Sequence, residues 1–174
     1  MKVAYFAHLN LDELTGVFKK IISQVRVWQK VGHQVRLFVV TRNIRVAQSI
    51  REGFPETSVA FYHSGSIKDR LRAFAEALDS VREMSPDVVY LRRDLFYPQT
   101  YNLAGSFPVV VEINSEELGE LWLHNKVQWV YHMCTRPILD KRVRGMVFVT
   151  HELTTKGYYG RLRLPKIAIG NGID

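Results

Sequence analysis

Between Lys2 and Val40 the spacing of apolar residues changes twice. Lys2-Val3-Ala4-Tyr5-Phe6-Ala7 is a short, nearly continuous apolar run, the pattern of a parallel strand buried on both faces. Beyond a polar loop, Val17, Ile21, Val25 and Trp28 recur at helical spacing, with Phe18 and Ile22 widening the stripe. Gly32 can take the left-handed conformation that ends such a helix, and Val35 to Val40 supplies a second apolar strand. Strand, helix and strand make a right-handed βαβ unit. Units of this kind bind ligands beyond the carboxyl ends of their strands, so the loop His8 to Gly16 is expected to wall a functional cleft.

The alternation continues. Arg42 to Arg51 fits a short basic helix ahead of the breaker Gly53-Phe54-Pro55, and reads as a solvated connector rather than a binding patch. Val59 to Tyr62 is a third strand. Ser66 followed by Asp69 has the form of a capping box, and Ile67, Leu71, Phe74, Leu78 and Val81 mark a second helix, ended by Ser85 because Pro86 disfavours helix in the residue before it. Asp87 to Leu91 and Pro108 to Ile113 are the fourth and fifth strands. Ser115 to Arg144 has helical character with an interruption expected at Thr135-Arg136-Pro137, and Met146 to Val149 and Lys166 to Ile169 complete the set. The fold class that follows is α/β: a doubly wound, mostly parallel Rossmann-like sheet of six or seven strands with helices on both faces. Right-handed crossovers and one reversal give the order 3-2-1-4-5-6, with Lys2 to Ala7 in the interior. Asn171-Gly172 is a tight-turn pair leading onward.

At 174 residues, residues 1–174 are expected to form a single domain burying about 70% of the unfolded surface. The lone Cys134 excludes an internal disulfide. The first apolar run is too short for a secretory signal and no run approaches the roughly 20 residues of a spanning helix, so a cytoplasmic location is expected. A net charge of +7 adds a peripheral association with the inner face of a membrane or another anionic surface. No nucleic-acid partner is expected: aromatic RNA-reading and zinc-finger motifs are absent and the basic residues are scattered.

The loop after the first strand has one glycine, Gly16, and the second strand ends Val40-Thr41-Arg42 without an acidic residue, which disfavours a dinucleotide. The acidic positions of a phospho-receiver are missing too. The six histidines lack metal-ligand spacing, so no metal site is assigned. Three polar groups remain at strand ends: Arg92, Arg93 and Asp94; Glu112, Asn114, Glu116 and Glu117; Thr150, His151 and Glu152. Each residue alone reads as a cap or a surface group, and Thr150 is placed to cap a helix starting at His151. Their convergence on one sheet edge singles them out as a site.

With those residues laid out, the chain resembles the amino-terminal domain of a family 4 retaining glycosyltransferase of the GT-B type. The resemblance rests on Gly32-His33-Gln34-Val35, Pro86-Asp87-Val88-Val89-Tyr90, Pro108 to Asn114, Val147-Phe148-Val149-Thr150, and Lys166 to Asp174 with its closing Asn-Gly-Ile-Asp. It covers the whole chain and implies an acceptor-binding half, with the nucleotide-sugar donor held by a carboxyl-terminal domain that this chain lacks. The sequence departs from the family at Gly16, where paired glycines are usual, and at Asn114, where many members carry histidine.

The resemblance implies transfer of a sugar from a nucleotide-sugar to an acceptor hydroxyl, on a sugar or a lipid-linked acceptor, with retention and with no cofactor on this half. The candidate acceptor-binding set is Gly16, Arg92, Arg93, Glu112, Asn114, Glu116 and His151; no catalytic residue is assigned. This half alone is expected to be inactive and to form homo-oligomers through its exposed interdomain surface. The alternative is a non-catalytic Rossmann-like module binding a small anionic ligand or a protein partner.

Overall fold

The computed structural model describes residues 1–10, 16–63, 66–155 and 157–170, with the side chain of Glu117 also set aside. Most of the loop expected to wall the cleft, and the closing Asn171 to Asp174, lie outside the described residues. Seven strands form one sheet in the order β3-β2-β1-β4-β5-β6-β7. The first strand is therefore interior, as its unbroken apolar run requires. The chain falls into two compact units, 1–90 and 91–174.

In the first unit β1 (Lys2–Leu9) is buried from Val3 onward, with only His8 half-buried. It pairs in parallel with β2 (Gln34–Thr41), Val3 opposite Val35 through Leu9 opposite Thr41, and β2 pairs in parallel with β3 (Ser58–Phe61). Successive β1 side chains leave opposite faces of the sheet. The Tyr5 ring meets Trp28 of α1 (Gly16–Lys30) at 5.9 Å, and the Phe6 ring meets Phe74 of α3 (Ile67–Met84) at 5.9 Å. One helix thus covers each face, as the doubly wound pattern demands.

The helix ends follow local chemistry. Gly32, at φ 90°, closes α1: its N–H donates to Gln29 and the His33 N–H to Trp28, the paired bonds of a Schellman motif. The Ser66 hydroxyl accepts from the Asp69 N–H at 3.1 Å, starting α3, and Ser85 ends it in the left-handed region at φ 49°. The basic segment after β2 is a packed helix rather than a connector. Asn43 caps α2 (Ile44–Gly53) by accepting from the N–H groups of Arg45 and Val46, and Val46, Ala47 and Ile50 are buried while the arginines face outward.

The second unit begins within β4 (Val88–Arg92) and holds α4 (Pro98–Ser106), β5 (Val109–Ile113), α5 (Glu117–His124) and α6 (Lys126–Asp140). After these come β6 (Gly145–Phe148), α7 (His151–Thr155), α8 (Gly157–Gly160) and β7 (Lys166–Ala168). β5, β6 and β7 pair in parallel. The interruption expected at Thr135-Arg136-Pro137 lies elsewhere. α6 runs through Pro137, and the break falls at Asn125, whose N–H donates to Leu121 at 2.7 Å while its side chain accepts from the Gln128 N–H at 3.0 Å. Proline removes one helical donor, but the turn around it is held by burial of Arg136, Leu139 and Asp140.

Candidate functional site

The strand ends of the second unit carry most of the residues singled out by sequence. Arg92 closes β4, and Glu112 stands one residue before the end of β5 rather than in the loop beyond it. The Arg93 N–H donates to the Glu112 carbonyl at 2.9 Å, and this backbone link brings the Arg92 guanidinium 3.4 Å from the Glu112 carboxylate. The Glu112 side chain is 3% exposed and the Arg92 side chain 15%. Glu112 therefore fixes Arg92 in place, and Arg92 is the partner that retains a route to solvent.

Arg93 is used differently. Its guanidinium pairs with the Asp140 carboxylate near the end of α6, and both side chains are almost wholly enclosed. The Tyr158 hydroxyl donates to the other Asp140 oxygen at 3.0 Å, and Arg136 lies over the Tyr158 ring at 3.7 Å. Burial, and after it the Asp140 charge and hydrogen bond, push the Tyr158 phenol well above its ordinary range. His132 completes this cluster; it is 1% exposed, and neither ring nitrogen has a hydrogen-bond partner. Burial first, then the Arg93 and Arg136 charges, lower its pKa to about 4 against the opposing pull of Asp94.

The remaining expected residues are spread around this framework. Asn114 is half-buried in the segment after β5, Glu116 is exposed at the start of α5, and His151 is exposed as the first residue of α7. Gly16 opens α1 in the first unit, and a Cβ built there would meet nothing within 4 Å, so space alone does not require glycine. Also in the first unit, His8 Nε2 lies 2.7 Å from the Tyr62 hydroxyl, with the Phe74 ring at 5.3 Å. A groove of about 450 Å³ follows α1, floored by Phe18, Ile22 and Phe54 and edged by Lys19, Arg26 and Lys30.

Of the residues singled out by sequence, the structure pairs Arg92 with Glu112 and encloses Arg93. Sequence reading missed His132, Arg136, Asp140 and Tyr158. The detectable signal was three polar residues at i, i+4 and i+8 in a segment otherwise read for its apolar positions. Chemically, Arg92 offers a held cation beside a carboxylate, suited to hydroxyl or phosphate oxygens. No group of three potential metal ligands occurs among the described residues.

No protein-family model and no curated protein sequence matches the chain. Solved structures do. UDP-GlcNAc 2-epimerase from Neisseria meningitidis bound to UDP-GlcNAc superposes with a TM-score of 0.60 at 13% identity, over 98% of this chain and 47% of its own. Glycyrrhiza uralensis UGT73P12 complexed with glycyrrhetinic acid 3-O-monoglucuronide gives 0.57 at 11% identity, over 97% and 48%. UDP-GlcNAc 2-epimerase from Methanocaldococcus jannaschii gives 0.54 at 13%, over 86% and 40%. The chain spans less than half the length of each. At these identities the likeness is one of fold: the chain shares a seven-stranded, Rossmann-like α/β architecture with a part of each of these proteins.

Proposed function

We propose that this chain is the acceptor-binding, amino-terminal half of a retaining GT-B glycosyltransferase of family 4. The observation that carries the reading is the held Arg92–Glu112 pair at the strand ends of a sheet that superposes on less than half of a UDP-GlcNAc 2-epimerase and of UGT73P12. Glycosyl transfer needs the acceptor oxygen held close to the anomeric carbon and the departing diphosphate stabilised by positive charge. Arg92, Asn114 and Glu116 serve the first need, by hydrogen bonding acceptor hydroxyls or an acceptor phosphate. The second need falls to the donor-binding domain.

The test uses this chain with and without a donor-binding domain supplied in trans, against a panel of nucleotide-sugars and candidate acceptors. Nucleotide release and glycoside formation with retained anomeric configuration are expected only when both halves are present. Arg92→Ala should weaken acceptor use and spare donor binding. Turnover of a nucleotide-sugar by the chain alone would overturn the reading. The likeness to two epimerases supports a second reading, a nucleotide-sugar epimerase half. The same assay separates the two, because an epimerase returns an altered nucleotide-sugar and forms no glycoside.

A further inference from the structure

α6 is inverted with respect to an ordinary surface helix. Its inward stripe is His132, Arg136 and Asp140, all buried at intervals of four residues, with Leu139 the one buried apolar side chain beside them. On the opposite side Val127, Val130, Tyr131, Cys134 and Ile138 recur at intervals of three, one, three and four, and all are exposed. An amphipathic helix places its apolar stripe away from water. Here the apolar stripe faces outward, and the inward polar groups are held by the Arg93–Asp140 pair and Tyr158.

The outward face continues onto α5. Trp122 and Trp129 meet edge to face at 5.1 Å, Lys126 Nζ lies 5.2 Å from the Trp122 ring, and Leu123 beside them is 79% exposed. Among the described residues seven of the fourteen exposed large apolar side chains fall between Trp122 and Ile138, so this is a concentration rather than the usual scatter. The exposed charges of α6 and its cap are basic, whereas those of α5 are acidic. The single acid of α6, Asp140, is buried, while Lys126 and Lys141 stand exposed at the two ends of the helix. The exposed acids, Glu116 and Glu120, stand at the start and in the early part of α5.

We infer that this face docks in the headgroup region of an anionic lipid bilayer. An apolar stripe with indole and phenol rings at its margin and lysines at its ends matches a helix lying in the interface plane, where lysine stems extend to the headgroups. Val127 to Ile138 spans about 16 Å, far short of a roughly 30 Å hydrocarbon core, so the helix lies along the surface and does not cross it.

Co-sedimentation with sucrose-loaded vesicles tests it, comparing phosphatidylcholine alone with phosphatidylcholine mixed with phosphatidylglycerol. The chain should pellet with the mixed vesicles and far less with the neutral ones, and added salt should weaken the binding. The double variant Leu123→Glu/Val127→Glu should bind the mixed vesicles at least ~10-fold less well. Both side chains are about four-fifths exposed, so its melting temperature should be unchanged. Ile67→Glu, exposed at the start of α3, should bind as the parent does. Equal binding by the double variant, or no preference for anionic vesicles, would overturn the inference. Self-association abolished by the double variant, without vesicle binding, would also overturn it and assign the face to a second copy of the chain.

Discussion

Arg93 and Asp140, separated by 47 residues in sequence, form an ion pair whose side chains are 2% and 1% exposed. The pair joins the segment just after β4 to the end of α6. An enclosed charge without its partner carries an uncompensated desolvation cost, so the two residues are expected to tolerate joint replacement far better than single replacement.

Asp140→Ala should destabilise the chain by about 3–5 kcal/mol. Arg93→Met/Asp140→Leu should recover much of that loss. Urea unfolding of the two single variants and the double variant reads the coupling directly. If the losses of the single variants simply added in the double variant, the pair would not be acting as a unit.

His132 makes stability depend on pH in a defined window. Unfolded, its imidazole binds a proton below about 6.5; folded, it does so only below about 4. Between these values the unfolded state holds more protons. Stability is therefore highest above the window and falls as pH drops through it, by up to about 3 kcal/mol in all. His132→Leu removes the linkage and flattens the difference between urea midpoints at pH 7 and pH 5. An unchanged slope in the variant would assign the pH dependence to other groups.

Gly32→Ala isolates a backbone effect. A Cβ there meets no atom within 4 Å, so the cost arises from φ 90° alone. About 1 kcal/mol is expected. Thermal denaturation checks it, and a neutral result would mean that the corner relaxes.

Asn125→Ala should cost about 1 kcal/mol by leaving the Gln128 N–H without its cap. Asn125→Asp should restore most of it. Helix content by circular dichroism, followed with temperature, distinguishes loss of the cap from unfolding of the whole unit.

Much of the architecture was legible because burial and periodicity agree in it. The continuous run of β1, the stripe of α3 and the Ser66 cap each point to one structure, and strand order follows from crossover handedness. α4 escaped notice because Pro98-Gln99-Thr100-Tyr101 opens a nine-residue helix with little apolar periodicity. The helical break was expected at Pro137, the conspicuous residue, whereas Asn125 makes it by ending one helix and capping the next. In α6 the apolar stripe is the exposed one, so a rule that turns apolar residues inward mistakes the face. Of the candidate site, Arg92 and Glu112 were visible as polar residues closing apolar strands. That Arg92 keeps some exposure while Arg93 loses nearly all of it depends on Asp140, which sequence spacing alone does not connect to them.

The interior place of β1 has a consequence for synthesis. β2 and β3 follow it closely in sequence, but its other neighbour, β4, starts only at Val88. The joining is marked at its first residues, where the Asp87 N–H donates to the Lys2 carbonyl and the Asp87 carboxylate accepts from the Lys2 N–H. At about 5–20 residues per second, a nascent chain that has completed β2 waits several seconds before β4 exists. Throughout that interval a strand that is buried in the finished sheet presents one unpaired edge, an arrangement prone to pairing with a neighbouring chain. A ribosome stall between Thr41 and Val88 would lengthen the exposure, and chaperone capture of this protein should be greatest there.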